Sequence, residues 1–199
     1  VKGSVRLVNN RAESFLAHPK RHPARIQLKV GVKANGKLVA LRGLVYMDTG
    51  AYASYGPAVG GLLTEVVPGA YRIPNVQVET NVVYTNSPFS GAMRGFGSPQ
   101  AHFPIESMMD ILAQRLGMDP LEIRRRNILQ VGDKVFTGVV VNETASSLPV
   151  CLDKVEEAIS RMQNVQPSSG KLNGVGFALA AQTMGLGAKV PDNSTHRLE

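Results

Sequence analysis

Residues Arg25-Ile26-Gln27-Leu28-Lys29-Val30-Gly31-Val32 alternate polar and apolar at period two, the pattern of a strand with one face buried. Ala34-Asn35-Gly36-Lys37 follows with Asn-Gly at its centre, and Leu38 to Tyr46 is again β-rich, so this stretch predicts a hairpin. Val76 to Tyr84 predicts a further half-exposed strand, entered through Tyr71-Arg72-Ile73-Pro74-Asn75, whose proline favours an extended approach. From Pro99 the period lengthens: Phe103, Ile105, Met108, Met109, Ile111, Leu112 and Leu116 form a wide apolar stripe, with Ser98 placed as N-cap and Gly117 as terminator. Asp119-Pro120 caps a short helix over Leu121 to Ile128, and a third helix is expected from Pro149 to Met162. Gln166 to Gly170 reads as a linker, and Gly174 to Ala181 as a buried strand. Blocks of strands and helices predict an α+β (α/β-like) fold of mixed β-sheets with packed helices.

Length and hydrophobic content, 199 residues and 43%, allow a real core in one large or two small domains. The net charge of +7 raises the question of nucleic acid. The basic residues fall into two clusters, His18 to Lys29 and Arg115 to Arg126, without interleaved aromatics or a nucleic-acid motif, so direct nucleic-acid binding is not expected. A basic face equally suits an acidic partner or an anionic cofactor. The chain shows neither a signal peptide nor an apolar run of ~18 residues, and a cytoplasmic protein without membrane segments is expected. Val1 reads as the middle of a strand and Leu198-Glu199 as no evident terminus, which predicts a piece of something longer.

Between the expected strand and the main helix lies Ser87-Pro88-Phe89-Ser90-Gly91-Ala92-Met93-Arg94-Gly95-Phe96-Gly97-Ser98-Pro99-Gln100. Gly91, Gly95 and Gly97 allow close backbone approach or positive φ, Arg94 supplies a permanently charged planar fork, and Phe96 offers a flat face to a ring. Two readings stand side by side: a packing turn with Arg94 in water, or a loop that holds an anionic, ring-bearing ligand at a helix start. The glycine spacing matches neither a dinucleotide fingerprint nor a P-loop.

Other chemistry is sparse. The single cysteine, Cys151, excludes an internal disulfide, and Val150 and Leu152 beside it predict a small buried hydrophobe. His18, His22, His102 and His196 show no metal-ligand spacing, and His102 reads as a solvated or capping residue on the polar side of the main helix. Glu106 and Asp110, four apart, read as a hydrated helix face rather than an acid–base pair. Asp48-Thr49-Gly50 matches the tripeptide of aspartic proteases but lacks its apolar context, and no nucleophile elbow is present.

Taken in order, five segments resemble the molybdenum-binding large subunit of the molybdenum hydroxylases, the xanthine dehydrogenase and aldehyde oxidase family. They are Arg21-His22-Pro23-Ala24, Asp48-Thr49-Gly50-Ala51-Tyr52, Tyr71-x-Ile73-Pro74-Asn75, Thr85-Asn86 through Ala92-Met93-Arg94-Gly95-Phe96-Gly97-Ser98-Pro99-Gln100, and Asp119-Pro120-Leu121-Glu122-Ile123-Arg124 through Asn127. The resemblance implies a molybdenum–molybdopterin cofactor that inserts oxygen from water into an N-heterocycle or an aldehyde, with FAD and iron–sulfur clusters on partner domains or subunits of an oligomeric parent. By position, Ala92, Met93 and Arg94 would line the cofactor and Phe96 would stack on substrate. Leu62 would face substrate where purine-oxidising members carry an arginine, removing a cation that orients an oxygenated purine. The resemblance places the family's general-base glutamate in a Gly-Glu segment downstream, so no catalytic residue and no metal ligand is assigned here, and this stretch alone is expected to be inactive. It also implies the later part of a first molybdopterin-binding domain at 1–148 and the start of a second at 149–199. The rival reading is a non-catalytic binding or assembly module, its loop recognising a nucleotide-like anion and its basic helix, Leu121 to Ile128, docking a partner subunit.

Overall fold

A computed structural model describes residues 3–143, 147–162 and 174–182. Its elements are α1 (Arg11–Ala17), β1 (Ala24–Val32), β2 (Leu38–Gly50), α2 (Gly56–Val66), β3 (Asn75–Tyr84), α3 (Ser98–Leu116), α4 (Pro120–Asn127) and α5 (Leu148–Met162). The expected hairpin is present: β1 and β2 pair antiparallel, with Ile26 opposite Val45 and Leu28 opposite Gly43. The turn between them closes through Gly36 N to Lys33 O at 2.8 Å.

β3 lies on the other side of β2 and runs parallel to it, Leu41 opposite Val76 and Met47 opposite Val82. Parallel neighbours need a crossover, and α2 supplies it. The sheet is therefore mixed and β2 is central, with Leu41, Val45 and Met47 turned into the core while Arg42 and Tyr46 alternate outward. Above that inner face lie α2 and α3, contributing Val59 and Leu63 from one and Ala101, Ile105, Met109 and Leu112 from the other. This is the α+β arrangement that the alternation of patterns predicts.

Helix α2 has no counterpart in the periodic pattern, because Gly56-Pro57-Ala58-Val59-Gly60-Gly61 is poor in helix formers. Its glycines serve contact with the sheet: a Cβ on Gly60 would stand 2.8 Å from Val82 Cγ2 and one on Gly56 2.4 Å from Thr49 Oγ1. Helix α1 was likewise not expected; Asn10 caps it reciprocally with Glu13, and none of its residues is buried.

Boundaries of the other helices follow the sequence closely, with one shift. Asp119 accepts from the amides of Leu121 and Glu122, capping α4, and Gly117 ends α3 at φ +61 with Met118 N returning to Ala113 O. The N-cap of α3, however, is Gly97 at φ 104 rather than Ser98. Two successive turns, Phe96 N to Met93 O and Ser98 N to Gly95 O, both 2.8 Å, draw Ser98 inside the helix.

Three expectations are corrected, and others fall on residues outside those described. Cys151 is exposed, since α5 turns the neighbouring Leu152 into the core. Residues 174–182 form no strand; they run beside α3 with Leu179 buried and most of their neighbours exposed. Residues 3–10 belong to neither strand nor helix; Val1, read from the sequence as lying within a strand, falls outside the described residues, as does the linker Gln166 to Gly170. His102 and Glu106 are buried, not hydrated. Among the described residues no helix is long and apolar enough to cross a membrane.

Candidate functional site

The segments that carry the resemblance lie far apart in sequence, and hydrogen bonds join them into two networks. In the first, the Arg21 guanidinium donates from Nη2 to the carbonyl of Arg94 at 2.6 Å and from Nη1 to Gln100 Oε1 at 3.4 Å. Gln100 Nε2 returns to the carbonyl of His22 at 3.0 Å, and Nδ1 of the buried His22 ring lies 2.9 Å from Asp48 O. Asp48 in turn accepts from the Thr85 hydroxyl and from Gly50 N, each at 2.6 Å, tying the end of β2 to the end of β3. The Thr85 bond is the main reason the Asp48 carboxyl lies below its ordinary pKa, with Gly50 N and Ser87 adding to it against partial desolvation.

This frame carries the loop. Gly91 N bonds Lys20 O at 3.0 Å and Ser90 N bonds Thr49 O at 3.1 Å, so the loop's backbone is stitched to both older segments just before it turns outward. Ala92, Met93 and Arg94 are exposed side by side, and among the described residues the Arg94 side chain makes no hydrogen bond or ion pair. Phe96 is half-buried and adopts φ 45, a left-handed conformation unusual for a residue with a side chain. Its ring meets Tyr55 edge-on, centroids 6.2 Å apart. Gly97 lies against α2, where a Cβ would stand 2.8 Å from Val59 O. Leu62 sits on that helix, half-buried and packed against the core beside Leu63.

The second network holds the fold beneath. Glu106 on α3 accepts from Arg124 Nε at 2.9 Å and from Leu179 N at 2.9 Å, and the Tyr71 hydroxyl bonds its other oxygen. Arg124, fully buried, also pairs with Asp110 at 2.8 Å and lies under the Phe177 ring at 4.8 Å. Burial opposes the charge on Arg124, but Tyr71, Glu106 and Asp110 around it outweigh burial and hold the guanidinium above its ordinary pKa. Burial, then the Glu106 charge, pushes the Tyr71 phenol upward. His102 lies 2.7 Å from Ser98 O through Nδ1 and accepts Ala181 N at Nε2, 3.0 Å away, which assigns the proton to Nδ1. The i, i+4 spacing of Glu106 and Asp110 holds as expected; what the spacing does not reveal is the arginine that α4 lays across it.

The basic helix is consumed by the same packing. Arg125 pairs with Asp153 at 2.6 Å and Glu156 at 2.7 Å on α5, and Arg126 with Glu122 at 2.5 Å and with the carbonyl of Asn35. Asn127 donates to Gly36 O and accepts from Leu38 N, fastening α4 to the hairpin. Among the described residues no cluster of three His, Cys, Asp or Glu side chains is placed to hold a metal ion.

The profile of the molybdopterin cofactor-binding domain family matches residues 1–128, and the chain belongs to that family. It is 47% identical over 156 residues to the large molybdopterin subunit of nicotinate dehydrogenase from Eubacterium barkeri, covering 78% of this chain and 36% of that protein. It is 38% identical over 184 residues to a putative xanthine dehydrogenase molybdenum-binding subunit of Escherichia coli, covering 90% of this chain and 24% of that one. Among solved structures, the aldehyde oxidoreductase of Desulfovibrio gigas superposes with a TM-score of 0.68 at 34% identity, over 72% of this chain and 16% of that chain. The chain thus corresponds to a fraction of the length of the proteins it matches.

The residues present suit the cofactor in charge and in access. Arg94 is an exposed cation whose side chain has no partner among the described residues, beside the exposed residues Ala92 and Met93 on a loop fixed from below, a setting that suits an anionic, phosphate-bearing group.

Proposed function

We propose that this chain forms one wall of the cofactor and substrate site of a molybdenum hydroxylase of the xanthine dehydrogenase and aldehyde oxidase kind. When bound, the molybdenum–molybdopterin group supplies oxygen-atom chemistry, adding water-derived oxygen to an N-heterocycle or an aldehyde. In this reading Ala92 and Met93 place their backbone against the cofactor, Arg94 binds its anionic part, and Phe96 presents its ring to the substrate. In the same reading Leu62 stands where purine-oxidising members carry an arginine, which favours substrates that do not depend on a charged anchor for a ring oxygen. Electrons would leave through FAD and iron–sulfur clusters on partner domains or subunits of an oligomeric, cytoplasmic enzyme. The division into one molybdopterin-binding domain at 1–148 and the start of a second at 149–199 belongs to the same reading.

The observation that carries this proposal is Phe96, held at φ 45 between two glycines with its ring set against Tyr55. A left-handed conformation costs a residue with a Cβ about 1–2 kcal/mol, and glycine at this position would avoid it. The ring also packs against the edge of the core, and the strained backbone that presents it supports a binding role for its exposed part. The test is Arg94→Ala and Phe96→Ala in the intact enzyme: loss of molybdenum and pterin content in the first, and weakened substrate binding with cofactor content retained in the second. Unchanged metal content and unchanged kinetics in both variants would overturn the assignment.

The rival reading, a docking module that uses the basic helix, is not favoured. Arg124, Arg125 and Arg126 are each paired within the chain, so α4 offers no free cationic face.

A further inference from the structure

We propose that Arg21 is the positioning residue of the Arg94 loop, setting the cofactor-facing side chains by gripping the loop from behind; this rests on the reading of Ala92 to Arg94 as cofactor wall. The two residues are 73 positions apart, yet Arg21 Nη2 donates to the Arg94 carbonyl at 2.6 Å, the shortest tie between the loop and the segment before β1. The other prong reaches Gln100 Oε1 at 3.4 Å, and Gln100 Nε2 closes the circuit on the carbonyl of His22 at 3.0 Å. Guanidinium and amide therefore hold each other in place: turning Arg21 loosens a bond at Arg94 and one on the first turn of α3, and turning Gln100 loosens its bonds to Arg21 and to His22.

The anchor beneath is itself immobile. His22 is 2% exposed, with its ring 2.9 Å from Asp48 O, and the neighbouring Lys20 carbonyl takes Gly91 N at 3.0 Å. Backbone bonds at Gly91 and at the Arg94 carbonyl thus bracket Ala92 and Met93, leaving the intervening side chains no choice but the outward face. Only a planar fork meets two acceptors set apart in this way; a lysine ammonium reaches one.

Charge points the same way. Arg21 is half-buried and forms no ion pair among the described residues, whereas Arg124, Arg125 and Arg126 each have a carboxylate. A neutral donor would suffice to tie down a carbonyl. An unneutralised guanidinium bonded to the Arg94 backbone also raises the positive potential on the side where an anionic group would bind, so the grip and the field act together.

The test is Arg21→Gln, Arg21→Lys and Arg94→Ala in the intact holoenzyme, read by amide exchange across residues 88–100 and by bound molybdenum and pterin. Losing a hydrogen bond from a charged donor predicts that Arg21→Gln speeds exchange at 91–97 about tenfold or more, with β1, β2 and β3 unchanged. Cofactor content falls with it, and Arg21→Lys, which keeps the charge and one donor, recovers part of both. Exchange at 91–97 unchanged in Arg21→Gln overturns the proposal. Exchange raised equally in the three strands overturns it too, because Arg21 would then be general structure, and so does a loosened loop with full cofactor content while Arg94→Ala empties the site. If Arg94→Ala itself leaves cofactor content intact, it is the cofactor reading that fails, and loop exchange alone then decides whether Arg21 sets the loop.

Discussion

Arg124 and Glu106 meet at 2.9 Å in the interior of the protein, the arginine wholly buried and the glutamate nearly so. The pair joins α4 to α3, and through the second lone pairs of Glu106 it also fastens Tyr71, at the entrance to β3, and Leu179, beyond the end of α5. One carboxylate on α3 thus collects groups from three other parts of the chain. Removing it leaves a buried guanidinium with Asp110, which is largely exposed, as its remaining carboxylate.

Glu106→Ala and Arg124→Ala are each expected to destabilise the fold by about 3–5 kcal/mol, since each removes the buried partner of a buried charge. The double variant is expected to lose clearly less than the sum, because no charge is then left unpaired. Urea unfolding of the three variants gives the cycle; additive losses would show that the two side chains stabilise the fold independently.

Tyr71 gives a pH signature at the alkaline end. Its folded-state pKa is raised, by burial first and then by the Glu106 charge, so the proton is held more tightly in the folded than in the unfolded chain. The resulting stability is complete below the ordinary tyrosine value of about 10 and is lost as pH rises beyond it. Tyr71→Phe is expected to flatten that alkaline decline in melting temperature, while costing about 1–3 kcal/mol at neutral pH through the unsatisfied Glu106 oxygen.

How far the sequence foretells this molecule depends on whether a feature is local. The hairpin is predicted to within one residue at its start, Arg25 against the observed Ala24, because alternation and an Asn-Gly turn specify it without help from elsewhere. Gly117 and Asp119 end and begin helices as expected for the same reason. Helix α2 escapes, since its glycines answer to Val82 and Thr49 across the sheet and not to helix propensity. His102 and Glu106 look solvated on a helical wheel, and only the arrival of Arg124, Leu179 and Ala181 makes them interior. At the site, the exposed Arg94 and the ring at Phe96 are legible from residue types; Tyr55 as the partner ring, and Arg21 as the hand beneath the loop, require the fold.

Asp48 gives the acid counterpart. Thr85, Gly50 and Ser87 hold its pKa below the ordinary carboxylate value, so the unfolded chain takes up the proton first as pH falls. The stability it contributes is complete above about 3.9, the unfolded value, and is lost as pH drops through the lower folded value. Asp48→Asn is expected to remove that acid-dependent component, and amide exchange at Gly50 and Ser87 followed against pH checks it. An unchanged acid limb in the variant would show that Asp48 does not link the strand ends.

Two adjacent glycines in α2 make opposite predictions. A Cβ at Gly61 meets nothing within 4 Å, whereas one at Gly60 stands 2.8 Å from Val82 Cγ2. Gly61→Ala is therefore expected to raise stability by about 1 kcal/mol through helix propensity alone. Gly60→Ala is expected to lower it by about 1–3 kcal/mol as α2 is pushed off the sheet. Thermal melts of the two variants separate these outcomes directly; equal shifts would mean that α2 does not pack against β3 as described.

Phe96 brings backbone and ligand into one comparison. If its ring served the core, truncating it would cost the ~3–5 kcal/mol typical of a buried phenylalanine, whatever replaced it. The ring is only half-buried and its contact with Tyr55 is edge-on at 6.2 Å, a pair worth about 0.5–1.5 kcal/mol. The backbone, at φ 45, favours glycine over any other residue by about 1–2 kcal/mol. These terms nearly cancel for Phe96→Gly and do not for Phe96→Ala, which loses the ring and keeps the strain. Phe96→Gly is therefore expected to match the parent in stability and to exceed Phe96→Ala by about 1 kcal/mol, while, on the function proposed above, both raise KM for an aromatic substrate in the intact enzyme and retain molybdenum. Stability that falls steeply in both variants with KM unmoved would return the ring to the core and remove it from the site.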